Sequence, residues 1–242
     1  MQDLYHTQYE RLNQESLTDD EVDILYDIIQ ITHDILTKNN IKYILEGGSL
    51  LGAVRCGGLI PYDNDADFDI LDDDLDKIRA LSGEFDKYNL EIIETPGWGL
   101  QISYKNSPTL KPNMWSNYDN TKSWSSKWPF LDLISIKYDT DSNKYILAGH
   151  IAKIDYPNYF LYKDDWDNIG LIKFGHLDLF TIANVCNRKN YLDRHYPEWE
   201  SVSEMVMDHR KNIYFDKPIR CPLTDLNKIY RKRSDKKSLI LQ

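Results

Sequence analysis

Between Ile41 and Ile70 the chain leaves itself few folding options. A short apolar run, Ile41–Leu45, is broken by Gly47-Gly48-Ser49, and a short helical stretch, Ser49–Arg55, follows the break. Gly57-Gly58 and Pro61 then interrupt the chain again. Beyond them Asp65, Asp67 and Asp69 alternate with Ala66, Phe68 and Ile70, the period of a strand with one apolar face and one face of carboxylates. A strand, a glycine turn, a helix and an acidic strand within thirty residues argue for a layered α/β or α+β domain.

The flanking sequence agrees. Thr18 with Glu21 three positions on has the form of a capping box, and Val22, Leu25, Ile28, Ile29, Thr32, Ile35 and Leu36 recur at helical spacing, predicting a helix over 19–39. Asp72–Phe85 is a second helix candidate, its Asp72-Asp73-Asp74 start answering the macrodipole. Strands are expected at 91–95, 100–105, 130–137, near 145–148 and near 171–175, with a helix over 187–196. Residues 1–17 read as a mobile lead-in, 18–227 as a single domain with a possible helical subregion from about 181, and 228–242 as a basic tail. The tail (Lys228, Arg231, Lys232, Arg233, Lys236, Lys237) reads as a solvated end, with contact to an anionic acceptor or membrane surface as the less favoured alternative.

The formal charge of −10, from 39 acidic and 29 basic residues, disfavours a general nucleic-acid binder, because an acidic field repels phosphate backbones. Cys56, Cys186 and Cys221 are odd in number and include no CxxC pair, so neither a disulfide framework nor a zinc site is expected. The polar N-terminus and the lack of a long apolar run lead to the expectation of a soluble, cytoplasmic protein.

Chemistry concentrates in 46–69. Two glycines let the backbone approach a ligand closely, and the helix that starts there turns unpaired N–H groups towards it, an arrangement suited to an anion. Alone, a glycine pair is more often simply a turn. Asp65 and Asp67 share one strand face, and oxygen ligands of this kind suit Mg²⁺ or Mn²⁺. The bland alternative is a solvated acidic edge. Asp63, Asp65, Asp67 and Asp69 also fall at positions 1, 3, 5 and 7 of a calcium-loop pattern, but Phe68 stands where the required glycine would be and Asp74 where the bidentate Glu would be. That reading fails. A third acid for two-metal phosphoryl transfer is sought elsewhere, and Asp132, set in the apolar run Phe130–Ile134, is the best candidate, against a reading as a strand-end cap. His150, His176, His195 and His209 show no metal spacing and read as surface or core residues. Trp115, Trp124 and Trp128, in an aromatic-rich loop over 106–128, are candidates for an acceptor wall without spacing to prove it.

The runs Glu46-Gly47-Gly48-Ser49-Leu50-Leu51-Gly52-Ala53-Val54-Arg55 and Gly58-Leu59-Ile60-Pro61-Tyr62-Asp63-Asn64-Asp65-Ala66-Asp67 resemble the signature of the LicD family, which includes bacterial phosphocholine transferases and fukutin-related proteins within the nucleotidyltransferase-fold superfamily. Phe130–Ile134 and the stretch from Tyr191-Leu192 to Tyr196-Pro197 fit its later pattern more loosely. The resemblance implies a nucleotidyltransferase-like mixed sheet with flanking helices. It also implies a divalent metal, Mg²⁺ or Mn²⁺, at Asp65 and Asp67 with Asp132 as third acid. The donor would be a nucleotide diphosphate, commonly a CDP-alcohol, whose phospho-alcohol moves to a glycan hydroxyl. Gly47, Gly48, Ser49, Arg55 and Tyr62 would then bind substrate. Tyr62 stands where the family usually has Trp and Asn64 where it often has Asp, which leaves the donor's identity open. Nucleotidyl transfer onto a small molecule, and an inactive nucleotide- or glycan-binding module, remain as alternatives.

Overall fold

The computed structural model describes residues 10, 16–110, 126–211, 213–224 and 229–234. Most of the 1–17 lead-in, Trp115 and Trp124, and Lys228, Lys236 and Lys237 lie outside the described residues.

The first helix, α1 (Asp19–Lys38), forms as the capping signal predicts: Glu21 N–H donates to Thr18 Oγ1 at 3.3 Å and Thr18 N–H to Glu21 Oε2 at 2.8 Å. Each side chain satisfies a backbone donor that the helix start leaves without an intrahelical partner. Its apolar stripe, Val22, Leu25, Tyr26, Ile28, Ile29, Ile35 and Leu36, is buried against the sheet. Asn40, at φ 56°, turns the chain out of the helix in a conformation that asparagine tolerates better than most residues.

Seven strands form one mixed sheet in the order β1 (Tyr43–Leu45), β2 (Ala66–Leu71), β5 (Phe130–Asp139), β4 (Gly99–Tyr104), β3 (Leu90–Thr95), with β6 (Lys144–Leu147) and β7 (Leu161–Tyr162) added beyond Ile134 on the edge of β5 that β4 leaves free. Only β2 and β5 run parallel; the other neighbours are antiparallel. Phe68, Ile70, Leu131, Leu133 and Ile136 are fully buried, as expected for central strands. Helix α2 (Gly47–Arg55) packs on β2.

Two expectations change here. The single helix over 72–85 is three short pieces: a 3₁₀ turn at Asp72–Asp74, α3 (Leu75–Ala80) and α4 (Ser82–Asp86). Leu81, at φ −85° and ψ 5°, leaves helical geometry just before Ser82-Gly83, two weak helix formers. The region after 181 is also less helical than expected. It holds α7 (Val185–His195), capped by Asn184, but then a hairpin of β10 (Val202–Asp208) and β11 (Ile213–Pro222), bulged between Met205 and Met207. Between β6 and α7 lie α5 (His150–Asp155), α6 (Lys163–Asp167) and a second hairpin, β8 (Ile169–Phe174) with β9 (Leu177–Ile182).

The tail departs further from a solvated end. Residues 229–234 lie along α1: Arg231 pairs with Asp19 at 2.8 Å, Arg233 pairs with the buried Asp27, and Ser234 N–H donates to Asp23 at 2.6 Å. Arg231 N–H also donates to the Leu59 carbonyl at 2.9 Å, tying this strap to the loop that leads into β2. Among the described residues no helix is long and apolar enough to cross a membrane.

Candidate active site

Strand register builds the site. In the parallel pair β2–β5, Asp67 stands opposite Asp132, and in the antiparallel pair β4–β5, Gln101 stands opposite Asp132. Residues opposite one another share a face, so Gln101, Asp132 and Asp67 form a row across three strands. Asp65 lies two residues before Asp67 and thus on the same side. One oxygen from each of Asp65, Asp67 and Asp132 lies within 4.8 Å of the others.

The row is held from both ends. Gln101 Nε2 donates to Asp132 Oδ1 at 2.7 Å, the Glu46 N–H donates to the Asp67 carbonyl at 3.1 Å, and the Asp67 N–H donates to Ser49 Oγ at 2.9 Å. Ser49 therefore anchors α2 to β2 through its hydroxyl, and it is not among the residues lining the adjoining cavity.

Burial drives the carboxyl groups upward. Asp65 and Asp132 are both pushed to about 7, desolvation being the largest cause; Glu46 adds repulsion at Asp65, and Asp65 adds it at Asp132. Asp67 is raised well above the ordinary value by burial and then by Asp65, Glu46, Asp132 and Asp63. Asp63 and Glu46 also reach about 7, again mainly by burial. Among the described residues the ion pairs made by the triad reduce to one contact, His209 Nε2 to Asp65 Oδ2 at 3.3 Å. Three clustered carboxylates without Lys or Arg partners, all oxygen donors, fit a hard divalent cation.

The triad opens on a cavity of about 420 Å³. Gly47, Gly48, Arg55 and Tyr62, named from the sequence as substrate-binding candidates, are among the residues that line it. Gly47 has φ +53°, and a Cβ at Gly48 would sit 2.7 Å from Asp63 Oδ2, so neither position suits a larger residue. Arg55 is spent largely on structure: it donates to the Trp199 and Val202 carbonyls, each at 3.3 Å, and to Tyr62 Oη at 2.7 Å, fastening α2 to the base of the β10–β11 hairpin. Asp69 sits below the floor, fully buried and accepting a hydrogen bond from Tyr159 Oη. Trp128 is buried, donates to Glu21 at 2.8 Å and does not line the cavity.

Several lining residues had no sequence signal. The hairpin contributes Met205, Met207, Tyr214 and the turn residue His209 as one wall. His209 joins Asn64 across 145 residues of sequence, a contact no local pattern announces. Gln101, an amide in an otherwise apolar strand, and Glu46, which accepts from Tyr191 Oη at 2.8 Å, carried weak hints in their composition.

Comparison with known proteins agrees with this geometry. Residues 40–178 match the family described as LicD/FKTN/FKRP, nucleotidyltransferase domain, a segment that contains β2, β4, β5 and all three acids of the triad. The chain belongs to the LicD/FKTN/FKRP family. It is 28% identical over 191 residues to an uncharacterized protein of Rickettsia prowazekii (strain Madrid E) and 29% identical over 191 residues to one of Rickettsia typhi (strain ATCC VR-144 / Wilmington), each match covering 79% of this chain. The match spans only 60% and 51% of those two relatives. Over 49 residues, 20% of this chain and 10% of the relative, it is 45% identical to the human ribitol 5-phosphate transferase FKRP. The family match ends at 178, so the β10–β11 hairpin and His209 lie outside it.

Proposed function

We propose that this chain is a metal-dependent phosphotransferase that moves a phospho-alcohol group from a nucleotide-diphosphate donor to a glycan hydroxyl. The observation that carries this reading is the clustering of Asp65, Asp67 and Asp132 oxygens within 4.8 Å at the edge of a 420 Å³ cavity. Family membership supports it, and the short match to a ribitol 5-phosphate transferase favours a polyol phosphate over phosphocholine as the transferred group.

Asp65, Asp67 and Asp132 would hold Mg²⁺ or Mn²⁺, which when bound neutralises charge on the donor's diphosphate and on the phosphoryl group in transit. Gly47 and Gly48 at the start of α2 line the cavity. The Gly47 N–H already donates to the Glu46 carboxyl, and the Gly48 N–H, without an intrahelical partner, can donate to a phosphate oxygen. Arg55 adds positive charge to the same wall, and Tyr62 supplies an apolar ring. Asp132, oriented by Gln101, takes the proton of the acceptor hydroxyl as that oxygen attacks the alcohol-bearing phosphorus. The new P–O bond forms in line with the breaking bond to the nucleoside monophosphate, which departs. Ser49 contributes by fixing Asp67 rather than through its hydroxyl on substrate. Residues 18–227 with the 229–234 strap would form one catalytic unit, in a cytoplasmic setting.

Incubation with Mn²⁺ and CDP-, UDP- and ADP-linked alcohols tests the reading. Release of the nucleoside monophosphate, lost in the Asp65→Asn/Asp67→Asn double variant, is expected. Release of pyrophosphate from nucleoside triphosphates would instead indicate nucleotidyl transfer, and failure to bind any donor or Mn²⁺ would indicate an inactive module.

A further inference from the structure

His209 begins the turn after β10 and projects into the cavity wall beside the triad. Its Nδ1 lies 2.6 Å from Asn64 Oδ1 and its Nε2 lies 3.3 Å from Asp65 Oδ2. The Phe130 ring meets it edge-on, with centroids 6.3 Å apart. With the amide placed this way, both ring nitrogens face oxygens, which a neutral imidazole cannot satisfy because it carries one N–H. Meanwhile Asn64 Nδ2, in a fully buried side chain, has no hydrogen-bond partner. The oxygen and nitrogen of an amide are assigned from their surroundings, and turning this amide over resolves both conflicts. Asn64 Nδ2 then donates to Nδ1, and the ring proton on Nε2 is free to point at Asp65. The cost is a buried amide oxygen that accepts no hydrogen bond, a lesser one than a buried unpaired N–H beside a ring that would need two protons.

We infer that His209 is a positioning residue for the triad: Asn64 donates to its Nδ1, its Nε2–H donates to Asp65, and the three side chains form one directed chain that fixes the Asp65 carboxylate. A ring N–H on one carboxylate oxygen sets that group's rotation and leaves its remaining lone pairs aimed at the space shared with Asp67 and Asp132. The same logic makes outer partners of a ligand matter to metal affinity almost as much as the ligand itself. Asn64 has a specific part in this. A carboxylate at this position could only accept, and would draw the ring proton to Nδ1, away from Asp65. The hairpin that carries His209 lies outside the segment matched by the family model. The consequence for metal binding rests on the function proposed above; the hydrogen-bond chain does not.

Two measurements separate these layers. In ¹⁵N-imidazole spectra of the metal-free protein at pH 7.5, His209 is expected as a neutral ring protonated on Nε2, and Asn64→Asp is expected to move the proton to Nδ1 or to charge the ring. A wild-type ring protonated on Nδ1, or on both nitrogens, overturns the inference, as does a ring unchanged by Asn64→Asp. In Mn²⁺ titrations, His209→Leu is expected to weaken binding about 10-fold to 100-fold, and His209→Gln, which keeps an N–H donor, to recover part of the loss. Equal affinity of His209→Leu and the wild type also overturns it. A wild type that binds no Mn²⁺ counts against the proposed function, while the ring spectrum still decides the chain.

Discussion

Asp67 and Asp132 stand directly opposite one another in the parallel strand pair β2–β5 of the central sheet. Like charges on directly opposite residues destabilise a sheet, and here both groups are also half-buried. An arrangement that costs stability persists where something else offsets it, and a divalent cation is the chemically matched partner.

Neutralising one acid should therefore separate stability from activity. Asp132→Asn is expected to abolish transfer and Mn²⁺ binding, yet to raise the melting temperature of the metal-free protein by about 3 °C. Scanning calorimetry with and without chelator checks this. A metal-free variant clearly less stable than wild type would show that the triad is not a reservoir of repulsion.

The pH dependence of the metal-free protein follows from the same groups. Asp63, Asp65, Asp132 and Glu46 reach about 7 in the folded state, above their ordinary carboxylate values near 4, so the folded protein binds more protons than the unfolded chain between those limits. Their contribution to stability is complete below about pH 4 and is lost as the pH rises through about 7. Chelator-treated protein should lose stability from pH 5 to pH 8. Millimolar Mg²⁺ should offset most of that loss, because the cation takes the place of the protons. Denaturant midpoints across the series provide the measurement.

Gly48 tests the close approach of α2 to the acidic loop. A methyl group there would stand 2.7 Å from Asp63 Oδ2, so Gly48→Ala must displace that carboxylate. A loss of about 1 kcal/mol in urea unfolding is expected. Gly83, where an added methyl group would meet no atom within 4 Å, serves as the tolerant control.

The strap offers a test remote from the chemistry. Arg233 faces Asp27, whose side chain is only 1% exposed, and removing the cation takes a charge partner away from a buried carboxylate. Arg233→Ala should cost about 3–5 kcal/mol in chemical denaturation, and Asp27→Asn in that background should restore part of it. An unchanged unfolding midpoint in Arg233→Ala would mean that residues 229–234 do not hold α1 in solution.

Legibility in the sequence tracked how local each cause was. The capping box of Thr18 and Glu21 and the stripe on α1 are set within a few residues, and both stand as expected. The alternation over 65–70 placed Asp65 and Asp67 on one face for the same reason. The break at Leu81 was harder to see, because Ser82 and Gly83 weaken a helix without forbidding it. The β10–β11 hairpin, with its bulge between Met205 and Met207, lacks the regular alternation that marks a strand pair. The tail's arginines looked free only because Asp19 and Asp27 lie more than two hundred residues away.

By itself the sequence determined the acidic strand, the glycine-started helix before it and the family signature they share, since side-chain period and backbone permissiveness act over neighbouring residues. The sequence also picked out Asp132 as the candidate third acid; tertiary structure alone decided that Gln101 holds it, that Ser49 serves the strand, and that His209 closes the wall. Those pairings depend on strand register and on how a distant hairpin folds back. Register is fixed by burying whole faces of a sheet at once, a property of the assembled core that no single stretch of the chain encodes.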